Sequence, residues 1–115
     1  MRWVTRGPDG YLTEEFGERE EEVRAAVADY MSESPIVLSS PSTRIPRGND
    51  RERGVIFRSD GAWLWTQAGA EALRDGTIDV ESDFVSHIMK TKTPPQRLSE
   101  DQLAEVRDTI LSRAG

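Results

Sequence analysis

The sequence predicts an α+β fold, a small antiparallel or mixed sheet covered by an N-terminal helix and by C-terminal helices. Three observations predict it. Two strand-like stretches each contain an x-Asp-Gly turn, at Pro8-Asp9-Gly10 and Ser59-Asp60-Gly61. A short apolar run, Pro35-Ile36-Val37-Leu38-Ser39, has strand length. The remaining apolar residues recur at three- and four-residue steps, the period of a helix with one face inward.

Taken in order, Arg2 to Arg6 and Tyr11-Leu12 read as a first hairpin around Gly7-Pro8-Asp9-Gly10, where Gly10 suits a positive φ. Thr13 then stands as the N-cap of a helix that opens on Glu14 and Glu15 and carries Phe16, Val23, Val27, Tyr30 and Met31 on one stripe. Ser34-Pro35 ends it. The run over 35–39 is expected to be a buried strand. A long Pro-, Ser-, Gly- and Arg-rich loop over 40–53 follows, of the kind that is functional or disordered in compact domains.

Residues 54–66 give the strongest local signal, a second hairpin whose face depends on its register. A three-residue bulged loop pairs Arg58 with Ala62 and Phe57 with Trp63, gathering Val55, Phe57, Trp63 and Trp65 on one surface. A two-residue turn sets Phe57 opposite Leu64 and puts both Trp with Ile56 and Arg58. The first is favoured because it unites the bulkier apolar side chains. Gln67 to Arg74 is a short helix closed at Asp75-Gly76. Asp79 is placed to cap a helix bearing Val80, Phe84, Val85, Ile88 and Met89, which stops before Thr93-Pro94-Pro95. Ser99 with Gln102 forms a capping box before a helix lined by Leu103, Val106, Ile110 and Leu111.

A chain of 115 residues fits one domain, residues 1–115, with 40–53 as its long loop. It has no Cys, so disulfides and thiolate chemistry are excluded and a reducing, cytoplasmic setting is expected. No apolar run suits a signal peptide or a membrane span. The net charge of -6 is unevenly spread. Residues 1–33 hold nine acids against four bases, 34–60 three acids against five Arg, and 61–115 nine acids against six bases. An acidic body repels phosphate over most of its surface, which disfavours nucleic acid in general and favours a basic or nucleic-acid-acting protein as partner.

No catalytic set, cofactor loop or metal set is visible. His87 is the only histidine, and it lies beside the Phe84/Ile88 face, where a structural role outweighs a catalytic one. Asp79, Glu81 and Asp83 lack the spacing of a calcium loop and read as acids at a helix start. Glu14, Glu15, Glu18, Glu20, Glu21 and Glu22 read as a solvated face or as a surface for a basic partner. The candidate partner-binding residues are Arg44, Arg47, Arg51 and Arg53 in the loop, with Arg58 and Trp63 on the hairpin. Guanidinium forks suit carboxylate or phosphate, and Trp63, close to the turn and beside Arg58, could anchor a partner.

The segment Phe57-Arg58-Ser59-Asp60-Gly61-Ala62-Trp63-Leu64-Trp65, followed by Asp79 to Ile88, resembles a pattern in small, mostly uncharacterised actinobacterial proteins, over about residues 35–90. Some of these look like immunity partners of polymorphic toxins, and the resemblance implies binding rather than catalysis. The expectation is a non-catalytic protein-binding module, with a nucleic-acid or anion-binding domain built on Arg44 to Arg58 as the alternative; a homo-oligomer is compatible with either.

Overall fold

A computed structural model describes residues 1–40 and 55–114. The fold is α+β, with a four-stranded mixed sheet ordered β1-β4-β3-β2. The strands are β1 (Arg2–Trp3), β2 (Ile36–Ser40), β3 (Val55–Ser59) and β4 (Trp63–Thr66); the helices are α1 (Tyr11–Phe16), α2 (Glu20–Glu33), α3 (Gln67–Arg74), α4 (Ser82–Thr91) and α5 (Glu100–Ala114). β1 runs parallel to β4, and the other pairs are antiparallel. Among the described residues no helix is long and apolar enough to cross a membrane.

Helices cover both faces of the sheet. On one side Leu12, Val23, Val27, Met31, Leu73, Val85 and Ile88 from α1 to α4 enclose Trp63, Trp65 and Phe84. On the other, Val106 and Ile110 of α5 pack on Leu64 and Leu98, with Trp3, Leu38 and Phe57 around them. The alternation of side chains along β4 produces this division, Leu64 pointing one way and its two tryptophan neighbours the other.

The first hairpin does not form. Pro8-Asp9-Gly10 is a turn, with Tyr11 N–H donating to the Pro8 carbonyl at 3.1 Å, but it leads into α1. Gly10, with φ of 81°, holds the N-cap position expected of Thr13. Leu12 is fully buried in the helical core, and a helix gives its one-turn segment internal hydrogen bonds that a two-residue strand could not. The N-terminal chain instead pairs with β4 through β1 and meets Val80 through an isolated bridge at Arg6. At that crossing the backbones nearly touch: a Cβ on Gly7 would lie 2.4 Å from the Val80 carbonyl oxygen.

The first long helix is broken at Gly17, which has φ of 54°, so α1 and α2 are separated by a 3₁₀ turn over Gly17–Arg19. β2 is an edge strand rather than a buried one, leaving Ile36 54% exposed. The β3–β4 register is neither of the two expected. Ser59 pairs with Leu64, Arg58 with Trp65 and Phe57 with Thr66; Asp60 to Ala62 connect the strands, and Trp63 opens β4 one residue before its first partner in β3. Phe57 therefore faces α5, while both tryptophans share the opposite side with Arg58.

α3 matches its expected span, and its N-cap Thr66 accepts from the Gly69 N–H at 3.1 Å. Asp79 and Val80 precede α4 instead of opening it. The Ser99 capping box forms reciprocally, Ser99 N–H to Gln102 Oε1 at 2.9 Å and Gln102 N–H to Ser99 Oγ at 3.1 Å. On α5 Val106 and Ile110 are buried, but Leu111 points to solvent.

Candidate functional site

The Asp60 turn is the most densely bonded point of the motif that looked functional. Asp60 Oδ1 accepts from the backbone N–H groups of Ala62 and Trp63, at 3.0 and 2.8 Å. Its Oδ2 accepts the Tyr30 hydroxyl at 2.6 Å and lies 2.6 Å from His87 Nε2. Gly61 follows with φ of 95°, and its N–H donates to Ser59 Oγ, which donates in turn to the Trp63 carbonyl. Burial alone would raise the Asp60 carboxyl, but the bonds from Tyr30, Trp63, His87 and Ala62 reverse this and hold it below its ordinary pKa. Tyr30 is pushed well above the usual phenol value, by burial first and then by its bond to Asp60.

An aspartate on an imidazole resembles the orienting half of a catalytic triad. Here, however, every group bonded to Asp60 belongs to the framework: α2 through Tyr30, the hairpin through two amides, and α4 through His87. The His87 ring sits among Tyr30, Trp63 and Phe84, at centroid distances of 6.1 to 6.5 Å. The arrangement fastens three elements at one point.

The hairpin residues proposed for a partner turn inward. Trp63 is only 7% exposed, packed on Phe84 at 5.2 Å and covered by the Arg2 guanidinium at 4.6 Å. This corrects the expectation of a partly exposed anchor, and its cause is the pairing of β1 with β4, which brings Arg2 over the indole. Arg58 donates from Nε to Gln67 Oε1 and from a terminal nitrogen to the Ser34 carbonyl, both at 2.6 Å, closing the end of α2. Arg44, Arg47, Arg51 and Arg53 lie outside the described residues.

The three acids that resembled a metal set are directed elsewhere. Asp79 is paired with Arg24 at 2.6 Å; Glu81 accepts from Arg2 and from the Thr5 backbone and hydroxyl; Asp83 pairs with Arg2 at 3.1 Å. Arg24 is a residue that sequence reasoning missed. Its guanidinium binds Glu20, Asp79 and the carbonyls of Leu73 and Ile78, joining α2 to the end of α3 and to the segment before α4. The only local signal was its four-residue spacing from Glu20.

Among the described residues, two features suit a ligand without belonging to this framework. One is the outer edge of β2, which nothing pairs among the described residues. The other is a cavity of about 460 Å³ beside the end of β4, lined by Trp3, Phe57, Trp65, Met31, Ile78 and Arg6 among others. Comparison with family models, with curated proteins and with solved structures found no match.

Proposed function

We propose that the protein is a cytoplasmic, non-catalytic protein-binding domain whose partner adds an extended segment to the edge of β2. The observation that carries this reading is the character of that edge. Ile36–Ser40 is a five-residue edge strand with no charged side chain; its pairing with β3 shifts register between Ile36 and Leu38 and is regular over Leu38–Ser40. Sheet proteins ordinarily protect such an edge with lysine, proline or a covering element, because its outward N–H and C=O groups template another strand. Strand addition uses those groups for affinity and alternate side chains for selection.

The partner segment is expected to be acidic. The sequence between β2 and β3 carries Arg44, Arg47, Arg51 and Arg53 against Asp50 and Glu52, a local excess of two positive charges on an otherwise acidic chain. The added segment itself is therefore expected to bear acids, while the rest of the partner meets the acidic body as a basic protein. An immunity-type inhibitor, covering a toxin in a one-to-one complex, is one member of this class. The inward bonds of Arg58 take a cation away from the alternative nucleic-acid surface.

Ile36 and Ser39 are both exposed, so Ile36→Lys/Ser39→Lys should leave the fold intact while charging the edge. A partner captured with the wild-type chain and purified should lose at least tenfold in affinity against the double variant. It should also slow hydrogen exchange of the 36–40 amides when bound. Unchanged affinity with unprotected amides would reject strand addition, and a homodimer formed through β2 would replace the hetero-partner by a second copy.

A further inference from the structure

We infer that the cavity beside the end of β4 is a binding site for a small carboxylic acid with an aryl-alkyl body. The cavity exists because the N-terminal chain leaves the sheet early. β1 pairs with Arg2↔Trp63 and Trp3↔Leu64, and Val4 N–H still reaches the Leu64 carbonyl at 2.9 Å. Beyond that point Thr5 is drawn to Glu81 and Arg6 bridges to Val80. Trp65 and Thr66 thus border a wedge between the sheet edge and the diverging strand.

The volume of about 460 Å³ falls within the few hundred to a thousand Å³ or so typical of small-molecule sites. Buried Met31, Trp65, Val80 and Ile110 supply its apolar walls, and the half-buried rings of Trp3 and Phe57 meet edge-on at 6.0 Å. Such walls select flat or slender apolar groups through ring contacts.

The head group is indicated by Arg6, which lines the cavity while remaining exposed to solvent and so stands at its mouth. Its bond to Asp9 is 3.3 Å long, between side chains 61% and 82% exposed, a pair of little energetic weight. The guanidinium has five donors, and Asp9 engages one end of the fork, so a ligand carboxylate can share or displace it. Of the hydroxyls near the cavity, Thr5 donates to Glu81 and Thr66 accepts from the Gly69 N–H, and neither carries a charge that would favour a carboxylate over an alcohol. Arg6 is therefore the group that distinguishes an acid from a neutral ligand. This site stands apart from the β2 edge, and its test is independent of any protein partner.

Phenylbutyrate and its uncharged counterpart phenylbutanol are suitable probes, titrated into the full chain with tryptophan emission and amide chemical shifts as readouts. Phenylbutyrate is expected to shift the signals of Thr66, Gly69 and Ile78 and to bind more tightly than the alcohol. Arg6→Gln should weaken the acid about tenfold and leave the alcohol unchanged. A Cβ on Gly69 would meet only Thr66 Oγ1, at 3.5 Å, so Gly69→Leu can extend into the cavity and should abolish binding of both. Ile78→Phe, which fills the space from another wall, serves if Gly69→Leu does not fold. Equal affinity for acid and alcohol, or an Arg6→Gln variant that binds the acid as the wild type does, would overturn the inference. So would the absence of binding to either probe, or shifts that survive both filling variants.

Discussion

Replacing Arg24 with methionine is expected to lower folding stability by about 3–5 kcal/mol, the largest loss from any single side chain outside the apolar core. The cost comes less from the lost attraction than from what is left behind. Asp79 is 3% exposed and its carboxylate would be left with a 3.4 Å contact from the Leu12 N–H in place of the guanidinium. The carbonyls of Leu73 and Ile78 would lose donors at 2.8 and 3.0 Å. Urea unfolding should show the midpoint falling with little change in slope. Adding Asp79→Leu should recover much of the loss, because removing both charges spares the unpaired ion. A double variant as unstable as the sum of the two singles would show that the pair is not coupled.

The second large effect is at Asp60. Asp60→Ala orphans Tyr30, His87 and two backbone amides at once and is expected to cost roughly 3–4 kcal/mol, or a fall in Tm of more than 10 °C. Asp60→Asn retains an oxygen for the two amides and should cost about half as much. The pH dependence separates charge from shape. The folded carboxyl is held below its unfolded value, so its contribution is complete above the ordinary carboxylate range and is lost as pH falls through the lowered folded pKa. The gap in stability between wild type and Asp60→Asn should therefore narrow on acidification. A gap constant from neutral pH to below pH 3 or so would mean that the charge of Asp60 contributes nothing.

Both residues illustrate what was legible in the sequence. The α+β class, the span of α3 and the Ser99 capping box could be read directly, since each rests on local spacing. The turn at Asp60 was equally visible as a turn. Its burial was not, because that depends on Tyr30 and His87, each 27 or more positions away. The register of β3 on β4 failed for a related reason: gathering the bulky residues on one face assumes one buried face, and α5 supplies a second, to which Phe57 turns. Tyr11-Leu12 could extend a hairpin or begin a helix, and only packing of Leu12 in the helical core decides. Arg24 gave no more signal than any helical Glu–Arg pair. For the candidate sites, the edge position of β2 and the cavity at Arg6 both follow from strand order, which short-range patterns do not specify. Trp63 looked exposed because its cover, Arg2, comes from the far end of the chain.

The parallel contact of β1 with β4 also bears on how the molecule assembles in time. β3, β4 and α3 are consecutive and close only short loops, whereas Trp3 must find Leu64 across more than half of the chain. Closing that loop costs entropy before any contact repays it, so the N-terminal strand is expected to dock after the rate-limiting barrier. Trp3→Leu should then quicken unfolding while leaving the refolding rate nearly unchanged, which the two limbs of a stopped-flow denaturant series would separate. Slowed refolding would instead place β1 in the folding nucleus. With late docking, the wedge beside β4 and the cover over Trp63 become the last parts of the fold to form and the first to open.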